Sequence, residues 1–313
     1  GVTDIAYLPD GRGLVASGAN LDVWNLAAGT IETTYKPTGG SMASLNLSED
    51  GQRLLFVSGG EVVEWSITEQ AVLHRFPTNQ AGLVSVCYSP DETRALTAGR
   101  TPPTIKEFDL ATGQELISIQ GTAAQFYKAV YGPGGKTAFV GTGFETVLAH
   151  YDLTTGALLN EWFKDYCAYD LCMSADETRL LVGSRSMASE WEIDGYKELR
   201  RFKGHHGGAV NGLTYCREPE QILTGSRDGS IRRWDRTTGE ILLRWFPHES
   251  YATMIRVSPD GSKVLSYGAR LVAESHMATG KPTVEWERHV GSVEACAWMP
   301  DGVQAVSASS DGT

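Results

Sequence analysis

Four arginines recur at nearly the same place in a repeat that runs along the chain. Arg100, Arg185 and Arg227 each lie nine residues after the middle of a short acidic turn. Arg270 lies one residue later in its own repeat. A guanidinium group carries a fixed charge and several donors in one plane, so it can hold a carboxylate or a phosphate through two hydrogen bonds. The pattern therefore indicates a basic surface for acidic or phosphorylated groups, and ordinary exposed turn residues are the alternative interpretation.

The other polar side chains do not form a pattern typical of catalysis or metal binding. His205 and His206 are adjacent, and neighbouring residues on a strand point to opposite faces, so their rings do not converge on one ion. Acidic residues recur in the turns because turns favour Asp. The chain contains neither a phosphate-binding glycine loop nor a Gly-x-Ser-x-Gly elbow. We predict no catalytic residue, no metal site and no cofactor.

Composition narrows the classes of partner. The formal net charge of −11 argues against non-specific nucleic-acid binding, which relies on an excess of Lys and Arg. No apolar run reaches the length of about 18 residues that a membrane span needs. The chain has five cysteines without paired spacing, which indicates a reducing compartment. We therefore predict a cytoplasmic protein that binds other proteins or further domains of its own chain, without nucleic acid, membrane or small-molecule ligand.

The acidic turns themselves define the architecture. Eight of them occur, and the steps between their middle residues are 40, 41, 43, 42, 42, 42 and 41 residues. The middle residues are Asp10, Asp50, Asp91, Gly134, Asp176, Glu218, Asp260 and Asp301. A fixed period of about 40 to 45 residues is typical of β-propeller blades, which must stack on their neighbours to bury their faces. The sequence predicts an all-β propeller of four-stranded antiparallel blades.

The sixth repeat shows one blade most clearly. Strands are predicted at Val210 to Tyr215, Gln221 to Thr224, Ser230 to Trp234 and Glu240 to Trp245, because short runs bounded by Gly, Asp and Pro suit an antiparallel meander. The turn after the third strand ends in glycine in four repeats, where it would supply the positive φ that reverses the chain. These glycines are Gly113, Gly156, Gly239 and Gly280.

The sixth repeat also resembles the WD40 family. Gly204-His205 matches the Gly-His element of that family, and Trp234-Asp235 matches the dipeptide that names it. Asp228 lies six residues before the tryptophan, as the family expects. The resemblance extends along the chain, since the Trp position holds an aromatic residue in six of seven repeats.

The resemblance implies a structural tetrad and a binding face. In such repeats the His, a Ser or Thr of the second strand, the turn Asp and the Trp form a hydrogen-bonded set inside the blade. Here these are His205, Thr224 or Ser226, Asp228 and Trp234. The resemblance also implies that the turn between the second and third strands, which carries the four arginines, lies on the face where partners commonly bind.

The repeats run to the end of the chain. Their approximate bounds are 1–40, 41–81, 82–124, 125–166, 167–208, 209–250 and 251–291, with a partial eighth repeat at 292–313. We predict one domain over residues 1–313, with seven complete repeats and a truncated eighth. Eight blades are favoured over seven, and we expect the domain to belong to a longer polypeptide.

The predicted function is a non-catalytic scaffold or sensor module. It would bind a partner, acidic or phosphorylated, on the face of the second-to-third strand turns, with Phe144 as a further contact beside Pro102-Pro103. The alternatives are a structural subunit of a large assembly, or a propeller that uses its central channel for catalysis or a small ligand. Aromatic residues at the ends of the fourth strands are predicted to pack between blades: Phe76, Trp162-Phe163, Phe202, Trp245-Phe246 and Trp286.

Overall fold

The chain forms an array of small antiparallel sheets. The structure is a computed structural model, and it describes residues 2–7, 12–17, 20–25, 30–36, 42–80, 82–143, 148–162, 167–204, 208–218, 220–249, 252, 254–258, 260–268, 271–286, 293–298 and 305–309. Seven sheets have four strands and one has two, and the strands of each sheet follow chain order. This confirms the predicted all-β fold of four-stranded antiparallel units.

The chain divides into two compact units, of which one comprises Leu8–Ala168. A single 3₁₀ turn, Pro133–Gly135, is present among its described residues. Its strands are β2 (Arg12–Ser17), β3 (Asn20–Asn25), β4 (Thr30–Tyr35), β5 (Met42–Leu47), β6 (Arg53–Ser58), β7 (Glu61–Ser66), β8 (Ala71–Pro77), β9 (Leu83–Tyr88), β10 (Arg94–Arg100), β11 (Pro103–Asp109), β12 (Glu115–Gln120), β13 (Phe126–Tyr131), β14 (Thr137–Thr142), β15 (Leu148–Asp152) and β16 (Leu158–Trp162).

The other unit comprises Tyr169–Thr313 together with Gly1–Tyr7. It has a 3₁₀ turn at Asp194–Tyr196, and within it β1 lies beside β29. Its strands are β1 (Val2–Tyr7), β17 (Asp170–Met173), β18 (Arg179–Gly183), β19 (Met187–Glu192), β20 (Lys197–Lys203), β21 (Val210–Tyr215), β22 (Gln221–Ser226), β23 (Ile231–Asp235), β24 (Ile241–Trp245), β25 (Met254–Val257), β26 (Lys263–Tyr267), β27 (Val272–His276), β28 (Pro282–Trp286), β29 (Val293–Trp298) and β30 (Ala305–Ser309). No helix in the described parts of the chain is long and apolar enough to span a membrane.

The acidic turns connect the first and second strands of the sheets. In the turn after β9, Ser89 Oγ donates to Asp91 Oδ1 at 2.5 Å, and the backbone nitrogen of Arg94 donates back to Ser89 Oγ at 3.0 Å. The hydrogen bond from Ser89 lowers the pKa of Asp91 to about 2. The same Ser-x-Asp arrangement occurs at Ser48-Asp50, Ser174-Asp176 and Ser258-Asp260. These carboxylates shape turns, which is why the acidic residue recurs with the repeat.

The predicted backbone of the third-to-fourth strand turns is confirmed. Gly113, Gly156, Gly239 and Gly280 have φ values of 69°, 77°, 77° and 65°. L-residues other than glycine rarely adopt this left-handed region. In the turn after β23, Asp235 accepts the backbone N–H of Thr238 at 2.7 Å, which closes the loop ahead of the glycine.

A glycine near the end of the second strand lets neighbouring sheets approach closely. A Cβ built on Gly183 would lie 2.7 Å from the carbonyl oxygen of Val210, on the first strand of the next sheet. A Cβ built on Gly141 would lie 2.9 Å from the carbonyl oxygen of Ala168, and one built on Gly225 would lie 3.0 Å from the carbonyl oxygen of Ala252. Next to Gly183, the carbonyl of Ser184 accepts the N–H of Val210 at 2.8 Å. Close backbone approach therefore fixes where each second strand ends.

Replacing Gly183 by alanine is expected to lower the free energy of unfolding by about 2–3 kcal/mol, because overpacking forces the backbone apart. Urea denaturation measures this change. Gly134→Ala is the matched control, since its Cβ would meet nothing within 4 Å and only the left-handed φ of 62° opposes it. That backbone conformation costs about 1 kcal/mol. Equal destabilisation by the two variants would contradict the close-approach argument.

Polar side chains join the first strands of neighbouring sheets. Ser44 Oγ accepts the N–H of Val86 at 3.0 Å, and Asn46 Oδ1 accepts the N–H of Tyr88 at 2.9 Å. In the other unit, Asp170 Oδ2 accepts the N–H of Leu213 at 3.2 Å. An edge strand presents unpaired N–H groups, and these side chains satisfy them.

The apolar core lies between the faces of adjacent sheets. Phe76 packs on Phe108 with ring centroids 5.0 Å apart, and Phe202 packs edge-on against Trp234 at 5.6 Å. Phe76, Phe202 and Trp245 are buried, which confirms that these fourth-strand aromatic residues fill the space between sheets. Phe246 is different, because 57% of it is exposed, so its predicted packing role is wrong. Its ring projects beyond the end of β24 instead of following Trp245 into the core.

Candidate functional site

The predicted arginines lie on exposed second-to-third strand turns. Arg100 is the last residue of β10, in the unit Leu8–Ala168. Arg185 lies between β18 and β19, and Arg227 between β22 and β23, both in the other unit. All three side chains are exposed. Arg270 and Phe144, the remaining candidates, lie outside the described residues.

Arg100 is held over an aromatic ring. Its guanidinium carbon lies 5.0 Å from the ring centroid of Tyr127, at the start of β13. That ring lies against the backbone of Gly143, where an added Cβ would come within 2.7 Å of Tyr127 Cε2. The N–H of Arg100 donates to the carbonyl of Gly82 at 2.9 Å, which fixes the backbone. A stacked guanidinium keeps its in-plane N–H groups directed away from the ring.

Arg227 repeats this arrangement in the other unit. Its guanidinium carbon lies 5.7 Å from the ring centroid of Tyr169, just before β17. Its N–H donates to the carbonyl of Ala209 at 2.8 Å, and the preceding carbonyl, of Ser226, accepts the N–H of Ala252 at 2.8 Å. The turn is therefore tied to the backbone on both sides. An exposed arginine on a fixed turn beside an aromatic ring suits the binding of a carboxylate or phosphate.

Three of the four predicted tetrad residues lie within one blade. Trp234 Nε1 donates to Thr224 Oγ1 at 2.8 Å, and both residues are buried. Asp228 Oδ1 accepts the N–H and the hydroxyl of Ser230 at 2.9 and 2.6 Å. Ser226 Oγ, the alternative second-strand hydroxyl, accepts the N–H of Asp228 at 3.2 Å. His205 lies outside the described residues, so the tetrad as a whole stays a prediction.

Buried glutamates of the third strands form a second recurrent cluster, which the sequence reasoning missed. Glu64 is 1% exposed, and its Oε1 accepts hydrogen bonds from Arg53 Nη1 at 3.0 Å and from the hydroxyl of Tyr88 at 3.1 Å. Its other oxygen lies 2.7 Å from His74 Nδ1. Tyr88 belongs to the first strand of the following sheet, so the carboxylate joins two sheets.

The same cluster recurs in both units. Glu107 accepts from Arg94 at 2.8 Å and from the Tyr131 hydroxyl at 3.0 Å. Glu190 lies 3.3 Å from the Tyr215 hydroxyl and 3.4 Å from Arg236 Nη1. Burial raises the pKa of Glu107 and of Glu190, and the neighbouring arginines oppose that rise. Each of these carboxylates therefore joins its own sheet to the first strand of the next sheet.

Comparison with known proteins bears on the repeats. Residues 196–235 and 280–313 match the family model described as WD domain, G-beta repeat. The first stretch contains Trp234 and Asp235, together with the Thr224 that accepts the indole hydrogen bond. Both stretches are WD40 repeats. The resemblance predicted from the sequence is thereby confirmed.

Relatives and solved structures agree with this assignment. The chain is 26% identical over 100 residues to cilia- and flagella-associated protein 52 of Macaca fascicularis, which covers 32% of the chain and 18% of the relative. It is 26% identical over 126 residues to human pre-mRNA-processing factor 17, covering 39% of the chain and 21% of the relative. The chain therefore matches only about a fifth of the length of each of these relatives.

A solved structure shows the fold. The crystal structure of the computationally designed Ika8 protein has a TM-score of 0.84 at 20% identity, covering 100% of this chain and 94% of that one. Together with the WD40 match, this confirms the predicted β-propeller of four-stranded blades. The number of blades stays a prediction.

Gln80 and His248 each lie before the first strand of a blade, at the position that His205 has in the sixth repeat. Gln80, before β9, accepts the hydroxyl of Thr97 at 2.7 Å and donates to the carbonyl of Thr104 at 3.0 Å. His248, before β25, lies with Nε2 2.9 Å from Ser266 Oγ. Both residues are buried. The repeat places His248 at about the same phase as His205 in the sequence, and the same position would have located Gln80.

The buried ring of His248 is only partly satisfied by hydrogen bonds. Within the described part of the chain, His248 Nδ1 is buried and has no hydrogen-bond partner. Burial lowers the pKa of His248 from 6.5 to about 4. The ring is therefore held neutral, in a blade that has Ser275 at the tryptophan position.

The cysteine thiols and the possible metal ligands of the described residues are the groups that a nucleophilic or metal site would require. All five cysteines are free, and burial raises the pKa of Cys87, Cys216 and Cys296 to about 12. A thiol with so high a pKa is a poor nucleophile. Across the residues that the structure describes, no group of three or more His, Cys, Asp or Glu side chains could hold a metal ion.

Proposed function

We propose that this chain is a non-catalytic interaction platform that binds an acidic or phosphorylated partner through its second-to-third strand turns. WD40 repeats support a protein-interaction scaffold in general. One observation carries the finer proposal: Arg100 and Arg227 are exposed, and each is stacked on a tyrosine ring at a turn that backbone hydrogen bonds fix. Rigid turns on a stable scaffold are common places for contact residues.

The residue types at these turns favour protein recognition. Arg and Tyr are enriched among the residues that contribute most to binding energy in protein interfaces. The net charge of −11 opposes the approach of an anionic partner at long range. Recognition would therefore depend on short-range contacts to the arginines, and binding would respond to the loss of single guanidinium groups.

A second candidate function is a structural role in a large assembly. It is favoured by exposed apolar side chains that recur on the outer strands β8, β12 and β16. Their exposed fractions range from 37% to 45%, and the residues are Val72, Leu73, Leu116, Leu158 and Leu159. Exposed apolar side chains that form a contiguous patch commonly contact other subunits.

The free cysteines support a reducing compartment, and we propose the cytoplasm. The net charge of −11 supports protein partners over nucleic acid or a membrane surface.

Charge reversal tests the proposed face. Affinity capture with mass spectrometry measures the amount of bound partner. The variant R100E/R185E/R227E is expected to capture about one tenth or less of the amount that wild type captures, because each guanidinium–oxyanion pair becomes a like-charge contact. Phosphatase treatment of the lysate separates the two partner chemistries, since only a phosphorylated partner is lost by that treatment. Thermal unfolding shows that each variant is folded.

The matched control reverses three exposed arginines elsewhere. R75E/R201E/R217E changes two outer-strand positions and one first-to-second strand turn. It has the same net charge as the test variant, so the control is expected to capture the partner as wild type does. Equal capture by all three proteins would contradict the proposed face.

A further inference from the structure

The outer strand of the sixth blade carries an exposed stripe. Leu242, Arg244 and Phe246 are spaced two residues apart along the outer edge of the blade, with Leu242 at the β-bulge of β24 and Phe246 directly after its last residue. Leu242 is 44% exposed, Phe246 is 57% exposed, and Arg244 is exposed as well. Among the described strands β24 pairs only with β23, so its other edge presents unpaired backbone groups.

Arg244 is held in place by an aromatic ring, but no carboxylate neutralises its charge within the described residues. Its guanidinium carbon lies 4.4 Å from the ring centroid of Phe246. Directly across the strand pair is Arg232, which is 1% exposed and donates to Asp228 Oδ2 at 3.2 Å and to the carbonyl of Gly204. Within the described residues Arg244 has no carboxylate partner of its own. Two adjacent guanidinium groups with one carboxylate leave an excess positive charge on a protein of net charge −11.

The outer strand of the second blade has a similar set of exposed residues, but its edge is protected against pairing. Its outer strand β8 carries Leu73, Arg75 and Pro77 at alternate exposed positions. Arg75 has a carboxylate partner there, Glu61, at 3.8 Å. Pro77 has no N–H, so it removes a donor from the edge. Strand β24 has neither of these protections.

The fifth blade protects its outer edge by charge instead. Strand β20 has Lys197, Arg201 and Lys203 exposed along its length, and Arg201 Nη2 donates to Glu198 at 2.8 Å. Charged side chains on an edge strand discourage pairing with another chain. Strand β24 carries one exposed charge, Arg244, between apolar side chains, so its edge is less protected against pairing than the edges of β8 and β20.

We propose that the outer edge of β24 binds an extended partner segment as an additional strand. The segment places an acidic side chain opposite Arg244, with apolar side chains two residues away on either side against Leu242 and Phe246. Charge complementarity selects this occupant, because the excess positive charge lies between two apolar side chains. Backbone hydrogen bonds give such pairing its affinity, and the alternate side chains give it specificity.

This surface lies on an outer strand and does not depend on the turn arginines. Binding at β24 can therefore be tested independently of binding at the turn arginines. Arg244→Glu is expected to leave capture by the turn face unchanged, and R100E/R185E/R227E is expected to leave binding at β24 unchanged.

A synthetic peptide tests the proposal. The probe alternates valine and threonine, replaces the central valine by glutamate, and carries a fluorophore for anisotropy titration against the whole chain. Wild type is expected to bind it, and the variants R244E and F246S are each expected to bind at least about tenfold more weakly. R75E, on the protected strand β8, is the matched control and is expected to bind as wild type does.

Two changes in the probe separate strand pairing from simple charge attraction. A peptide with a central lysine is expected to restore binding to R244E, since the charges are exchanged. A peptide with N-methyl groups on alternate residues is expected to lose at least about tenfold in affinity, because it cannot donate to the edge. The proposal is overturned if wild type shows no saturable binding, or if R244E, F246S or the N-methylated peptide binds as well as the original pair.

Discussion

Replacing Glu64 by alanine is expected to lower the free energy of unfolding by about 2–3 kcal/mol, because the buried Tyr88 hydroxyl loses its acceptor and Arg53 keeps only its second carboxylate partner, Glu92. Glu64 is 1% exposed, and it accepts from Arg53 at 3.0 Å and from the Tyr88 hydroxyl at 3.1 Å. Alanine would remove both hydrogen bonds and leave the buried Tyr88 hydroxyl without this acceptor. Chemical denaturation at neutral pH measures the change.

Glu61 on the same strand provides the matched control. Its side chain is 37% exposed, and its partner Arg75 lies 3.8 Å away. Exposed ion pairs contribute about 0–1 kcal/mol, so Glu61→Ala is expected to have little effect on stability. If Glu64→Ala were no more destabilising than Glu61→Ala, the buried glutamates would not be the links between blades that their geometry indicates.

Replacing His248 by glutamine is expected to remove part of the acid sensitivity of the fold. Burial lowers the pKa of His248 from 6.5 to about 4, so the folded state favours the neutral ring. The stabilisation is fully present above pH 6.5, and it is lost as the pH falls towards 4, because the unfolded chain takes up the proton first. Each pKa unit corresponds to about 1.4 kcal/mol, so the loss amounts to about 3 kcal/mol.

Glutamine suits this position because the chain already uses it in the third blade. Gln80 is buried before β9 and forms a hydrogen bond with the Thr97 hydroxyl. His248, before β25, forms the equivalent hydrogen bond with the Ser266 hydroxyl. The difference in unfolding free energy between neutral pH and pH near 4 is therefore expected to be smaller for His248→Gln than for wild type by about 3 kcal/mol. Denaturation at both pH values measures it, and an identical pH dependence in the two proteins would contradict the assignment.

The sequence predicted the fold well because a repeat of constant length leaves few architectures. In the sixth blade the predicted first strand, Val210 to Tyr215, agrees with the structure. The second strand extends to Ser226, beyond the predicted Thr224, because Ser226 pairs with Val210 at the start of the first strand. Contacts of this kind depend on a neighbour that a local pattern does not contain.

The candidate site was predictable in part. The phase of the repeat located Arg100, Arg185 and Arg227 on exposed turns, but not the rings of Tyr127 and Tyr169, which belong to other blades. The buried glutamates were missed for the same reason, since the partners Arg94 and Tyr131 of Glu107 come from different strands. Phe246 was misassigned because Trp245 and Phe246 are equivalent by composition, and only the strand face decides which of the two is buried.

Site-specific photocrosslinking tests the central claim, that partners bind at the second-to-third strand turns. A photoreactive amino acid is placed at Thr101 or Ser186, exposed positions beside Arg100 and Arg185, and in control proteins at Thr112 or Thr238. The control positions are exposed in third-to-fourth strand turns, at the opposite end of the sheets. We expect a crosslinked partner from 101 and 186 but not from 112 and 238, and its loss when the neighbouring arginine becomes glutamate. Crosslinks that arise from 112 and 238 instead, or that survive the arginine change, would contradict the proposed binding face.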